Sequence, residues 1–275
     1  MTAVGLAIGS AALFGAMSVA LRLGLRGLDE TAGATLATVV TALAVATVAA
    51  AFDADVHGAW PFLLAGLLAP GASQIFFTLA VREVGASRTS VIVGGAPLVA
   101  VAIALILLGE PLRPPLVVGA LAIVAGGALL AGERDRPAHL RRVGLLYAAA
   151  GAILFAMRDN VVRALHTHST PGTAAAATLL AGTAVAAAWA RRPPSGRELR
   201  RLWPAGLLFG LSYVLLFEAY YRGRVTVVSP LVATESLFAV VIAAVLIRHT
   251  EGMGRRVVLG AVLVVAGGAV IGAFR

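Results

Sequence analysis

Val117-Val118-Gly119-Ala120-Leu121-Ala122-Ile123-Val124-Ala125-Gly126-Gly127-Ala128 returns about 140 residues later as Val258-Leu259-Gly260-Ala261-Val262-Leu263-Val264-Val265-Ala266-Gly267-Gly268-Ala269. A gap of that size in a chain of 275 residues marks a duplication, each copy closing one half. Working outward, Phe14 to Met17 matches Phe155-Ala156-Met157, Trp60-Pro61 matches Trp203-Pro204, and Gly66-Leu67-Leu68 matches Gly206-Leu207-Leu208. Glu110 likewise falls at the place of Glu251.

Hydrophobic residues make up 60% of the chain, charged residues 13%, and the mean hydropathy is +0.94, so the solvent of most of this surface is lipid. Spans of about 20 residues with short connections leave room for about ten crossings and no soluble domain. A net charge of +9 would suggest nucleic acid in a soluble protein. Here the basic residues are scattered through short loops between apolar runs, where they set topology, and no nucleic-acid partner is expected. All 22 are arginine, which excludes Schiff-base and amine general-base chemistry by lysine. Without cysteine there are no disulfides, thiolate nucleophiles or sulfur-ligated metals. The five histidines, His57, His139, His166, His168 and His249, fall in or near loops without HExxH spacing, so neither a metal nor any other cofactor is expected. No basic n-region precedes the first apolar run, which reads as a retained span rather than a cleaved signal.

Apolar runs predict ten helices, at 3–21, 31–52, 60–81, 87–109 and 115–132, then 143–165, 173–190, 203–221, 226–247 and 256–274. The expected fold is therefore an all-α polytopic membrane protein: a five-helix repeat over 1–132, a charged linker at 133–142 and a second repeat over 143–275. Five is odd, so the second copy is expected to insert upside down. Arginine placement agrees: sixteen lie in odd-numbered loops, among them Arg22, Arg82, Arg134, Arg192 and Arg255, against five on the other face, Arg113, Arg163, Arg222, Arg224 and Arg275. Equivalent loops carry opposite bias, Phe52-Asp53-Ala54-Asp55-Val56-His57 against Arg191-Arg192-Pro193-Pro194-Ser195-Gly196-Arg197. By the positive-inside rule both termini lie outside the cytoplasm of a multi-pass protein of the cell membrane.

Ala96-Pro97-Leu98-Val99-Ala100 running into Leu108-Gly109-Glu110, the Gly-rich fifth span, and the exit Phe217-Glu218-Ala219-Tyr220-Tyr221-Arg222 resemble the drug/metabolite transporter superfamily, in particular its EamA-type members. The resemblance covers nearly the whole chain. It departs at Glu235-Ser236-Leu237-Phe238, where the family usually has Glu-Pro-x-Phe, at Thr250-Glu251 in place of Gly-Glu, and in a first span lacking a central Trp. It implies two inverted five-helix repeats, export of amino acids, related metabolites or drugs, and cytoplasmic termini, the last against the arginine count.

Charges within a bilayer cost about 2.5–3.5 kcal/mol on insertion scales and are expected to face a cavity or a partner. Met157-Arg158-Asp159-Asn160 in the sixth span, Glu218 in the eighth and Glu235 in the ninth are such residues. Two readings are open for Arg158: pairing with Glu235 or Glu218 when empty and with an anionic cargo group when loaded, or an ion pair that only fixes packing. A buried carboxylate also offers proton coupling. Adjacent helical residues point about 100° apart, so Arg158 and Asp159 are expected to aim at different partners. Glu218 reads equally as part of an interfacial anchor with Tyr220, Tyr221 and Arg222. Polar atoms for a cargo route come from Asn160, Ser73-Gln74, Ser18 and Ser212-Tyr213, with Tyr213 and Tyr220 on one face. Gly94-Gly95-Ala96-Pro97 and Ser229-Pro230 predict hinges in the fourth and ninth spans. Glu110 and Glu251 precede the fifth and tenth spans and read as carboxylates at their N-termini. Gly127 with Ala131 and Gly268 with Gly272 allow a close helix contact, either joining the halves or forming a homodimer.

The leading expectation is a secondary transporter that exports a small-molecule cargo through a cavity lined by spans 1, 3, 4, 6, 8 and 9, with the halves rocking. A channel or lipid scramblase is the alternative. An intramembrane enzyme is less expected, since no Ser/His pair, metal cluster or HExxH is present, and no GxxxxGK[ST] motif binds ATP.

Overall fold

The computed structural model describes residues 2–28, 30–52, 54–84, 89, 92–111, 113–130, 142–246 and 255–274, and all regular structure among them is helical. In the first half these are α1 (Ala3–Leu25), α2 (Thr31–Ala50), α3 (Trp60–Gly66), α4 (Ser73–Val84), α5 (Ala96–Leu107) and α6 (Pro114–Leu130). In the second they are α7 (Arg142–Ala164), α8 (Pro171–Ala190), α9 (Gly196–Arg222), α10 (Val225–Val232), α11 (Glu235–Leu246) and α12 (Arg255–Phe274). The linker after residue 132, up to Arg141, and Glu251 lie outside the described residues. Six helical stretches are long and apolar enough to cross a bilayer, the third being Trp60–Val84 as one unit, and four further apolar helices are shorter. Large apolar side chains such as Ile106, Leu107, Leu146 and Val265 point outward, as lipid-facing residues do. The chain is an all-helical polytopic membrane protein.

Local chemistry explains the helix ends. Thr2 and Thr170 accept hydrogen bonds from the amides of Gly5 and Thr173, and Pro171 opens α8 with its fixed φ. α9 starts seven residues before the predicted 203 because Ser195 and Glu198 form a reciprocal capping box, satisfying donors in a polar turn that a hydropathy reading passes over. The third span, read as continuous, is interrupted: Ala69 is extended (φ −146°, ψ 120°), followed by Pro70, and a wide turn over Leu67–Ala72 joins α3 to α4. Pro70 supplies no amide and its ring displaces the carbonyl one turn back, which is the physical reason for the break.

Packing crosses between the two copies rather than staying inside them. α1 lies along α9, α11 and α10; its counterpart α7 lies along α4 and α5. α2 packs on α9 and α8, while α8 packs on α3 and the Leu67–Ala72 turn. α6 packs on its own counterpart α12. Exchanging each helix for its repeat-mate reproduces the same set of neighbours, which is the behaviour of two copies related by a two-fold axis.

The α6–α12 seam shows this at residue level. A Cβ on Gly126 would sit 2.7 Å from the Gly260 carbonyl oxygen, and one on Gly267 would sit 2.6 Å from that of Gly119. As α6 is followed from Gly119 to Gly126, its partner runs from Gly267 back to Gly260, so the helices are antiparallel and equivalent glycines exchange partners. Four backbone stretches thus touch without intervening side chains, the small-residue contact that drives association in lipid. The predicted pairs used Gly127 and Gly268, one position beside these; Gly268 has nothing nearer than Leu231 Cδ2 at 3.8 Å.

That offset supplies a test. Gly267→Ala is expected to lower the melting temperature in detergent, with an overpacking cost of about 1–3 kcal/mol, whereas Gly268→Ala on the same helix leaves it unchanged. Equal melting of the two variants would mean that α6 and α12 do not meet through Gly267.

Candidate functional site

Where α1, α5, α7, α9, α10 and α11 converge, they enclose a small cavity lined by Ser10, Phe14, Pro97, Arg158, Tyr213 and Glu235, among others. The space open to the centre of a water-sized sphere is about 50 Å³, room for a few waters. On one side, Phe14 meets Phe77, Phe155 and Phe209 edge-on with ring centroids 5.7, 6.3 and 5.9 Å away. Phe14 and Phe155 are repeat-mates, so this aromatic knot sits on the pseudo-two-fold. Ser10 and Ser212 clip α1 to α9 by donating to each other's carbonyls, at 2.9 and 3.0 Å. Both hydroxyls are buried, where leaving either unpaired would be costly.

Arg158 on α7 is the cavity's cation. Its Nε donates to Asp159 Oδ1 at 2.8 Å, and its guanidinium carbon lies 4.9 Å from the Tyr213 ring centre and 5.6 Å from that of Phe155. Cation–π contacts of this kind, when desolvated, reach about 2 kcal/mol, comparable with the insertion cost of one arginine. Nη1 is buried without a hydrogen-bond partner among the described residues. Asp159 Oδ2 accepts a 3.2 Å bond from Ser229 on α10, so the pair joins α7 to the second half of the site. The expectation that Arg158 would pair with Glu235 or Glu218 is corrected: the flexible arginine stem folds back onto its sequence neighbour, overcoming the 100° between their Cα–Cβ directions.

Glu235 opens α11 and faces the same cavity, 6% exposed, with no hydrogen bond or ion pair among the described residues. Asn160 does not line it; its Nδ2 donates to the carbonyls of Ala100 and Ala156 at 3.0 and 2.9 Å, fastening α7 to α5. Gln74 is fully buried on α4 away from the cavity, neither amide atom being bonded among the described residues. Glu218 is held by Arg222 one turn on and does not line the cavity. Tyr220 is fully buried, its hydroxyl without a hydrogen-bond partner among the described residues. Sequence reasoning missed Ser10, whose signal was its i, i+4 spacing from Phe14, and took Ser229 for part of a kink rather than a donor.

The hinge residues fall as follows. Gly94 and Gly95 form a turn just before α5, and Pro97 occupies that helix's first turn and lines the cavity. In the ninth predicted span the helix continues through Pro230 and breaks at Ala233-Thr234, where α10 gives way to α11. The discontinuity is real but lies three residues after the proline. Glu110 also differs from expectation: its two carboxylate oxygens each accept a 2.9 Å bond from the amides of Val225 and Thr226. It therefore caps α10 in the other copy rather than the fifth span beside it, because the α10 N-terminus brings two aligned free donors.

A buried cavity holding charged side chains in an all-helical polytopic protein is the kind of site that membrane transporters carry. A family model described as the EamA-like transporter family matches the chain twice, over residues 1–132 and 142–273. The chain belongs to that family and is a membrane transporter of the drug/metabolite transporter superfamily. A solved crystal structure is similar over 99% of each chain, with a TM-score of 0.83 at 21% sequence identity, a likeness of fold. Comparison with curated proteins gave no match.

Removing one member of a buried ion pair costs about 3–5 kcal/mol, since the other is left uncompensated. Asp159→Leu is therefore expected to melt well below the Arg158→Met, Asp159→Leu double variant when both are heated in detergent. If the double variant is the less stable, each charge is held independently by its surroundings.

Proposed function

We propose that this protein is a secondary transporter that exports a small metabolite carrying an anionic group, such as an amino acid or a related compound, across the cell membrane by alternating access. The observation that carries this is the cavity itself, where Arg158 presents an unengaged N–H beside Glu235 and the Tyr213 ring. An arginine held between aromatic faces offers a planar donor set suited to a carboxylate. Ten spans in two inverted copies fit the antiparallel, partner-exchanging seam of α6 and α12. A metabolite pocket needs several hundred Å³, so the described state is closed around its charges and cargo must enter by movement.

The moving units on this reading are not the two sequence halves. α1 packs with α9 and α11, and α7 with α4 and α5, giving two bundles of mixed parentage. The Arg163 Nη1 bond to the Tyr220 carbonyl, at 3.0 Å, crosses between them, and the Asp159–Ser229 bond ties α7 to α10, which packs on both α1 and α5. Separation of the bundles on that side breaks a few polar contacts and leaves the serine clip intact.

Metabolites in cells and medium, compared with and without the expressed protein, test the function. Defined anionic or zwitterionic compounds are expected to accumulate in the medium and to lose that accumulation with Glu235→Gln or Arg158→Met at unchanged expression. Intracellular accumulation would reverse the direction. A pool that changes equally with both variants would remove Arg158 and Glu235 from the route.

The absence of native cysteine permits a clean test of the moving units. Oxidising a Ser10→Cys, Ser212→Cys pair, whose hydroxyl oxygens are 3.0 Å apart, is expected to leave flux intact. Loss of flux on oxidation, restored by reductant, would place a moving boundary between α1 and α9.

A further inference from the structure

At the arginine-rich end of the molecule, the C-terminal turn of α1 and the first turns of α9 border an open groove lined by Ala20, Leu23, Gly24, Arg26, Arg201 and Pro204. Its volume is about 440 Å³. The floor forms because Gly24 lets α9 come so close that a Cβ would stand 2.9 Å from the Arg201 carbonyl oxygen. Above it, Gly27 adopts a left-handed conformation (φ 71°) with Arg201 Nη1 3.2 Å from the position of a Cβ. Arg201 donates to the Arg26 carbonyl, which ties the turn over the helix. Two guanidinium groups are thus brought to one groove by backbone geometry, Arg26 exposed and Arg201 half-buried.

Neither is ion-paired with a carboxylate among the described residues. The excess of charge does not depend on one acid. The two connecting segments contribute Arg22, Arg26, Arg191, Arg192, Arg197, Arg200 and Arg201 against Asp29, Glu30 and Glu198. Glu30 and Glu198 are both taken by Arg192, at 2.6 and 2.7 Å. Like charges side by side over an apolar floor call for an anion with an apolar body. Trp203, which precedes Pro204 on α9 without lining the groove, is 53% exposed, and Leu23 on the groove wall is itself exposed. An indole at the end of a span is the usual interfacial anchor, so the groove stands at headgroup level with its floor directed to the acyl region.

We propose that this groove binds an anionic phospholipid, its phosphate between Arg26 and Arg201 and its upper acyl chain along Leu23 and Pro204. Basic pockets between membrane helices take such headgroups, and each arginine near an anionic surface contributes enough to change occupancy about fivefold. The lipid would brace α1 against α9, the two helices that carry Ser10 and Ser212 at the central cavity. The inference rests on the membrane reading and not on the identity of the cargo.

The test uses the full-length purified protein in vesicle-derived nanodiscs of phosphatidylcholine alone or mixed with phosphatidylglycerol, reading thermal stability, and native mass spectrometry to count retained phosphatidylglycerol. The wild type is expected to melt higher with phosphatidylglycerol and to retain it. Arg26→Gln, which removes a side chain that makes no hydrogen bond among the described residues, is expected to weaken retention about fivefold and the double variant with Arg201→Gln about thirtyfold, with melting in phosphatidylcholine unchanged for Arg26→Gln. Equal losses from Arg197→Gln or Arg200→Gln would overturn the proposal in favour of a diffuse positive surface. Protection by inorganic phosphate in phosphatidylcholine, matching that by phosphatidylglycerol, would overturn it in favour of a soluble anion.

Discussion

Lipid tails solvate an apolar helix about as well as another helix does, so what holds this molecule together is the closeness with which backbones approach. That constraint explains the placement of glycine at the main crossings. Gly119, Gly126, Gly260 and Gly267 bring α6 onto α12, and Gly24 and Gly15 bring α1 onto α9 and α11. Each of these contacts is antiparallel or lies where a side chain would collide with backbone. The four glycines of the α6–α12 seam recur at equivalent repeat positions, so one solution to the packing problem is used twice there and the exchange of partners across that seam follows, whereas the repeat-mates of Gly15 and Gly24 are Ala156 and Leu165.

Within that apolar frame the polar groups are few and mostly discharged locally. Ser18, Thr35, Thr38 and Thr78 return their hydroxyls to carbonyls of the preceding turn, which satisfies them without joining any helices. Bonds that reach another helix are concentrated around the cavity, from Ser10, Ser212, Asp159, Ser229 and Asn160. The cavity is consequently the place where helix association depends on a specific geometry rather than on small-residue contact. On the proposed reading, a movement that rearranges these few bonds would change access to Arg158 while leaving the glycine seams undisturbed.

Helix positions were legible in the sequence because hydropathy and the repeated Gly-rich segment report directly on lipid exposure and duplication. What escaped was chemistry that hydropathy does not weigh. The Ser195–Glu198 capping box extended α9 through a charged turn, and Pro70 broke a span whose neighbours were all apolar. At the site, Arg158, Asp159, Tyr213 and Glu235 were found because charge and aromatic hydroxyls stand out in an apolar run. Their pairing was not, since side-chain torsions decide whether an arginine reaches across a cavity or back along its own helix. Glu110 was assigned to the nearest N-terminus in sequence; only the fold shows that the nearest one in space belongs to α10.

The site is less symmetric than the scaffold that carries it. Aligning Phe14 with Phe155 puts Met17-Ser18-Val19 of α1 opposite Arg158-Asp159-Asn160 of α7. Ser18 satisfies itself on Phe14, whereas Asp159 reaches Ser229 and Asn160 reaches Ala100. On the proposed alternating-access reading, two copies of one frame would give two closures of similar packing, one at each end of the cavity, with little reason to prefer either. Polar contacts made by one copy alone supply the preference. They fasten the end at which α7 finishes, where Arg163 also meets the Tyr220 carbonyl. On the proposed reading, an anionic cargo competing with Asp159 for Arg158 would weaken that fastening by the same interaction that binds it, which would make recognition and opening one event.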